Sequence, residues 1–254
     1  MSRRALVTGA SAGLGVEFAR QLAARGIDLL LVARREERLA RVAAELSSVD
    51  VRIFPADLGD RSAPAALERF VGEQGLQVDY LINNAGSAGP GLLEEPDWNR
   101  QAEFLELMML SAAQLCRRFI PAMVERGFGR VVNVSSFAGR LARPAGGNYG
   151  PAKAYLIALS EELALMLRGT GVHVSALCPG FVHTDFHETA GLLEMKRRLP
   201  SFLWYDAESV VREGLDAVER GVAIRVSGRL YRWLDPFAQS VWFRPLLKAL
   251  APGR

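Results

Sequence analysis

Residues 8–15 read TGASAGLG, with Gly9, Gly13 and Gly15 in a G-x-x-x-G-x-G spacing. They stand between a short apolar run, Ala5–Thr8, and a stretch of helical period, Val16–Ala24. Glycine there permits a tight turn and close backbone approach to a ligand, and the helix N-terminus that follows favours negative charge. Gly9, Ser11, Gly13, Leu14 and Gly15 are therefore candidates to hold a diphosphate. A purely structural turn is the alternative, and the rest of the chain must choose between them.

Outward from this turn, strand and helix patterns alternate. Asp28–Ala33, DLLLVA, is a continuous aliphatic run, as expected of a strand covered on both faces. Strand patterns recur at Val51–Pro55, Val78–Ile82, Arg130–Val134 and Val172–Leu177. Helical ones fall at Glu36–Leu46, Ala63–Gln74, about Trp98–Arg126, and from Tyr149 on. This order predicts an α/β fold: a doubly wound, Rossmann-like parallel sheet in three layers, forming a single domain over residues 1–254. Ligands of such sheets bind beyond the C-terminal strand ends.

The strand ends carry the distinctive residues. Arg34 and Arg35 follow the second strand, where an acidic residue usually holds the adenosine ribose. An arginine suits a 2′-phosphate, so the expected cofactor is NADP(H). Asp57 follows the third strand, NNAG (Asn83–Gly86) the fourth, Ser135-Ser136 the fifth, and Pro179, Gly180 and Thr184 the sixth. Tyr149 and Lys153 stand four residues apart where a helix begins, in a chain with three lysines and five tyrosines. That spacing puts both on one helix face, and a nearby ammonium favours the phenolate of a tyrosine over its free pKa of about 10. The pair could serve as a general acid/base, or be a solvated lysine beside a half-buried tyrosine.

In combination, TGASAGLG, NNAG, Ser136, Tyr149-x-x-x-Lys153 and the Pro179-Gly180 turn resemble the short-chain dehydrogenase/reductase family, single-domain type, closely over about Arg3–Thr184. The resemblance implies hydride transfer between NADP(H) and a small-molecule carbonyl or alcohol. It makes Ser136, Tyr149 and Lys153 the catalytic residues, with Tyr149 the proton donor. The thirteen-residue step from Ser136 to Tyr149 favours Ser136 over Ser135. By the same resemblance Lys153 also holds the nicotinamide ribose, while Asn83, Ala85 and Gly86 border the adenine–ribose side. Asp57 lies at the adenine and Thr184 at the nicotinamide amide, near Pro179 and Gly180. One position departs from the family pattern. Thirteen residues before Pro121 of the IPAM stretch, where the family usually has asparagine, stands Met108. A thioether is a weak acceptor and donates nothing, so the proton relay needs another anchor, such as Ser111 or a carbonyl freed by a distorted helix.

Net charge is +3 with dispersed basic residues, which does not suggest nucleic-acid binding. Cys116 and Cys178 lack a C-x-x-C spacing and read as buried free thiols. The N-terminus lacks a signal-peptide pattern, no apolar run reaches about 18 residues, and cytoplasm is expected. The three histidines do not form a metal-ligand set, so no metal is expected. A homo-oligomer is expected, together with a substrate lid at about 185–205. The C-terminal extension, about 225–254, mixes Trp233, Phe237, Trp242 and Phe243 with arginines. Core or lid packing is the favoured reading there; subunit contact and membrane surface are alternatives, the prolines at 236 and 245 arguing for short pieces. Two other functions stay open: a non-catalytic NADP(H)-binding redox sensor and a membrane-surface lipid-modifying reductase.

Overall fold

A computed structural model describes residues 2–142, 147–184, 200–243 and 245. Seven parallel strands form one sheet: β1 (Arg4–Thr8), β2 (Asp28–Ala33), β3 (Val51–Pro55), β4 (Tyr80–Asn83), β5 (Gly129–Val134), β6 (Val172–Cys178) and β9 (Ile224–Val226). Their spatial order is β3-β2-β1-β4-β5-β6-β9. The order reverses direction between β1 and β4, which places the ligand crevice at the C-terminal ends of those two strands. A two-stranded ribbon, β7 (Phe181–Val182) with β8 (Trp204–Tyr205), lies beyond β6.

The helices cover both faces, so the central strands read as unbroken aliphatic runs. On one side α1 (Gly13–Ala24), α2 (Glu36–Glu45) and α7 (Ala207–Glu219) bury Phe18, Leu22, Leu39, Val211 and Leu215 against Val7, Leu29 and Leu31. On the other, α3 (Ala63–Glu73), α5 (Ser111–Glu125) and α6 (Tyr149–Met166) bury Leu67, Leu115 and Phe119 against Leu6, Leu30 and Leu81. Each such leucine contributes about 1.5–3 kcal/mol by leaving water. α8 (Arg229–Gln239) follows β9.

The long helix foreseen over Trp98–Arg126 is three pieces in one run: α4 (Trp98–Leu105), a π-turn (Glu106–Leu110) and α5. Its 28 residues are long and apolar enough to span a bilayer, but Leu115, Phe119, Ile120 and Met123 are spent on the core. Both cysteines are buried free thiols, and desolvation pushes each up to about 12. The lid expected at 185–205 lies mostly outside the described residues; 200–205 form a short 3₁₀ turn and β8.

Candidate active site

The glycine turn is fixed by its neighbours. Thr8 Oγ1 accepts from the amides of Asn84 (2.9 Å) and Ala85 (3.0 Å) and donates to the Ile82 carbonyl (3.1 Å). Asn84 Nδ2 donates to the carbonyls of Thr8 (2.9 Å) and Gly9 (3.3 Å). Gly9 and Gly13 have φ of +65° and +54°, a region side chains disfavour. A Cβ on Gly15 would stand 2.2 Å from the Gly9 carbonyl oxygen. The N-cap of α1 is Ala12, which offers no side-chain acceptor to the first-turn amides. The Thr184 side chain lies 3.3 Å from where a Gly13 Cβ would be, so the ends of β1 and β6 face each other across this turn.

Beyond β2 the two arginines take different partners. Arg34 pairs with Asp57 at 3.5 Å, both well exposed. Arg35 donates to Ser11 Oγ at 3.3 Å. Uncapped helix amides, a glycine cradle and two guanidiniums together fit the diphosphate and 2′-phosphate of NADP(H). The sequence names both arginines, but the reach of Arg35 back to Ser11 is a tertiary contact that it does not show.

Asn83 needs correction. Its side chain does not face the turn but is buried, and Nδ2 donates to Asn133 Oδ1 at 2.8 Å. Asn133 donates in turn to Ser160 Oγ (2.9 Å), which donates to the Leu156 carbonyl (2.7 Å). This polar chain ties β4 through β5 to α6. The second asparagine, Asn84, is the one at the glycine turn. Two adjacent strand residues point to opposite faces, and the sequence alone does not say which faces the ligand.

Ser135 and Ser136 likewise divide. Ser135 is buried and donates to the Lys153 carbonyl at 2.7 Å. Ser136 is half-buried and caps a 3₁₀ turn, Phe137–Gly139, by accepting from the Ala138 amide at 3.1 Å. That turn lies directly on α6. A Cβ on Gly139 would be 2.7 Å from the Lys153 carbonyl carbon and the Ala154 nitrogen, both backbone. Gly139 was missed in the sequence, since its role is an approach between distant segments.

Lys153 is buried, and Nζ donates to the Val134 carbonyl at 2.7 Å. Desolvation pulls its pKa down from 10.5 to about 8. Nζ lies 5.8 Å from the centre of the Tyr149 ring, on the same face of α6. It is also 3.8 Å from where a Gly86 Cβ would be, which links the pair to the segment packed on the glycine turn.

Behind the pair sits Met108, buried with Phe104, Ala152 and Tyr149. Its sulfur accepts from the Ser87 amide at 3.3 Å. Met108 lies within the π-turn, where the Ser111 amide reaches back five residues to the Glu106 carbonyl. A distorted helix, one of the two alternatives named for the anchor, is present at this position. Ser111 does not offer its hydroxyl to the site: it donates to the Leu107 carbonyl at 2.7 Å, within the helix.

The outer wall is formed by the end of β6 and α8. Pro179 O accepts from the Phe137 amide at 2.7 Å. A Cβ on Gly180 would fall 2.0 Å from the Tyr231 ring, so only glycine lets α8 approach. Tyr231 donates to the Leu203 carbonyl (2.9 Å) and accepts from the Phe181 amide (3.3 Å). Arg140 pairs with Asp235, and Gln239 donates to the Arg140 carbonyl at 2.7 Å. The inner face of α8 therefore packs on the core, as the favoured reading of this stretch had it. Pro236 does not break the helix, contrary to expectation; α8 runs through it without the one bond a proline nitrogen cannot donate.

Residues 3–192 match the family model described as short chain dehydrogenase. The chain is 35% identical over 189 residues to an uncharacterized oxidoreductase of Myxococcus xanthus, covering 74% of this chain and 75% of the relative. It is 35% identical over 186 residues to a very-long-chain 3-oxoacyl-CoA reductase of Mycosarcoma maydis, covering 70% and 53%. Among solved structures, a short-chain dehydrogenase from Sphingobium yanoikuyae in complex with NADPH superposes with a TM-score of 0.81 at 29% identity, covering 99% of this chain and 98% of that one. With a Rossmann-like sheet, a glycine turn at its switch point and a family model spanning most of its length, this chain belongs to the short-chain dehydrogenase/reductase family of oxidoreductases.

Proposed function

We propose that the protein is an NADPH-dependent ketone reductase whose substrates carry a long apolar arm, with 3-oxoacyl thioesters the favoured class. The observation that supports the reading is the packing of the Ser136 turn onto α6 at Lys153, with Lys153 on the same helix face as Tyr149 and close to Gly86.

The glycine turn would hold the diphosphate of a reduced nicotinamide dinucleotide, which when bound would supply hydride to the carbonyl carbon. As the C=O π pair moves onto oxygen, the Tyr149 hydroxyl gives it a proton and the alcohol forms; oxidation is the reverse. Lys153 stabilises the phenolate left behind, and Ser136 aims a hydroxyl at the developing oxyanion. Arg34 and Arg35 would hold the 2′-phosphate. The relative from Mycosarcoma maydis supports an acyl substrate by its name, and the Sphingobium structure supports NADPH. An apolar arm also suits Leu92 and Leu93, which are exposed on the segment touching Gly147, two residues before Tyr149.

A homo-oligomer is part of the same reading. α6 leaves Leu165 and Met166 exposed near its C-terminal end, apolar surface that a second copy of the chain would cover.

Acetoacetyl-CoA with NADPH is the first substrate to test. Tyr149→Phe is expected to abolish turnover while NADPH still quenches protein fluorescence with nearly unchanged affinity. Substantial turnover in that variant sinks the assignment of Tyr149. Wild-type inactivity on 3-oxoacyl thioesters and on a panel of bulky ketones sinks the substrate class.

A further inference from the structure

The outer face of α8 has no role in the reductase reading. Trp233 and Phe237, one turn apart, pack at 5.4 Å between ring centres, and Phe243 meets Phe237 edge-on at 5.5 Å. Val241 and Trp242, in the turn that follows α8, are exposed next to Phe243 in the chain. Trp242 is 85% exposed, Val241 78% and Trp233 65%, although the opposite face of the same helix is locked to the core. Single exposed apolar residues are ordinary, but five on one helix and the turn after it, two of them tryptophans, point to a binding surface.

Charge tells what covers it. Residues 225–254 hold six of the 31 basic residues and one of the 28 acidic ones, a net +5 by sequence, which leaves −2 for the rest of the chain. The single acidic residue, Asp235, is turned inward against Arg140. Arg225 and Arg232 are paired with Glu213, whereas Arg229 is exposed beside the aromatic face. A second copy of this chain would bring like charge against like charge. An apolar partner without charge would leave the basic excess unused. Tryptophan rings beside arginines match the interface of an anionic bilayer, where the ring sits at headgroup depth and the guanidinium meets lipid phosphate.

We propose that the α8 face, made of Arg229, Trp233, Phe237, Val241, Trp242 and Phe243, docks the protein on anionic membrane surfaces. The fold places this face outside α8, with Tyr231 and Gly180 between it and the end of β6. Docking therefore needs no change at the catalytic residues, and the proposal stands or falls independently of the substrate class.

Flotation of the full chain with phosphatidylcholine vesicles, and with vesicles containing phosphatidylglycerol, tests it. Flotation is expected only with phosphatidylglycerol and should weaken with added salt. Trp233→Ser with Trp242→Ser should lower binding about tenfold or more. Arg229→Glu should lower it further, and each variant should keep wild-type NADPH affinity as a control for folding. Failure to float, equal flotation on neutral vesicles, or undiminished flotation of the double tryptophan variant overturns the proposal. So does a drop in oligomeric mass of that variant in lipid-free light scattering, which assigns the face to a second copy of the chain.

Discussion

The two ends of the cleft are built on different physics. At the catalytic end Lys153, Ser135 and Met108 are each no more than 5% exposed, and the Lys153 ammonium and the Ser135 hydroxyl are each held by a backbone carbonyl. At the adenine end Arg34 is 72% and Asp57 51% exposed at the side chain, joined by a 3.5 Å pair in water. Buried groups that cannot relax are pre-aimed, and removing one leaves a gap that water does not repair. Exposed guanidiniums act by charge through solvent, so each contributes less and salt screens it. On the proposed reading, chemistry would be placed where the fold is dry, and the choice between cofactors would be read at the wet rim.

If this contrast is right, Ser136→Ala should cost on the order of 10²–10³ in turnover, as for loss of an oxyanion donor. Acetoacetyl-CoA kinetics of the variant would measure it, and a loss under tenfold would erase the distinction between the two ends.

A second expectation is set by Lys153, whose pKa is pulled down to about 8 by burial. Below that pH the ammonium is charged and useful, and it bears its desolvation penalty. As pH rises through about 8 the folded protein gives up this proton, while the unfolded chain keeps it up to about 10.4. Reduction measured as kcat/KM should therefore fall above pH 8, while the lysine's stability penalty is relieved over the same window. Lys153→Met should be inactive yet melt higher than wild type at pH 7, with the gap closing towards pH 10. A constant gap across that range would show that the burial penalty is not the cause.

At the wet end, Arg34→Ala should remove most of the preference for NADPH over NADH, and Arg35→Ala part of it. A charge-assisted contact to phosphate is worth about 1.5–3 kcal/mol. Binding titrations at low and high salt check this. Equal wild-type affinity for the two cofactors, or a preference insensitive to salt, would contradict it.

The smallest effect is expected at Met108. The π-turn already distorts the helix at this point, so a backbone carbonyl can take over a water's anchorage. Met108→Asn should change turnover by less than about tenfold, or 1.4 kcal/mol. A large gain, together with loss of a solvent isotope effect in D₂O, would show that proton delivery limits the wild type.

Much of this was legible before any coordinates. Six strands, the glycine turn and the Tyr149 helix follow from aliphatic runs and punctuation that act within a dozen residues. β9 was not legible, because three residues, Ile224–Val226, carry no period. Nor was the division of labour within Asn83-Asn84 and Arg34-Arg35. Each pair is chemically uniform, and only the neighbouring strand or turn decides which member faces the ligand. Between Ser135 and Ser136 the resemblance offered a criterion, the distance to Tyr149, that neither of the other pairs had. Gly139 and Gly180 were illegible as necessities: the atoms that forbid a side chain there belong to α6 and to Tyr231, far along the chain.

The π-turn at Glu106–Leu110 also has a meaning for insertions and deletions. It holds one residue more than an α-helical path would use, so α5 is rotated by about 100° relative to the phase set by α4. Both apolar stripes find their own targets only because of this surplus: Phe104 turns towards α6, while Leu115 and Phe119 turn onto the sheet. Deleting any single residue from 106 to 110 would mend the helix and misalign one stripe with its target. This short stretch should tolerate exchange of side chains far better than any change in length.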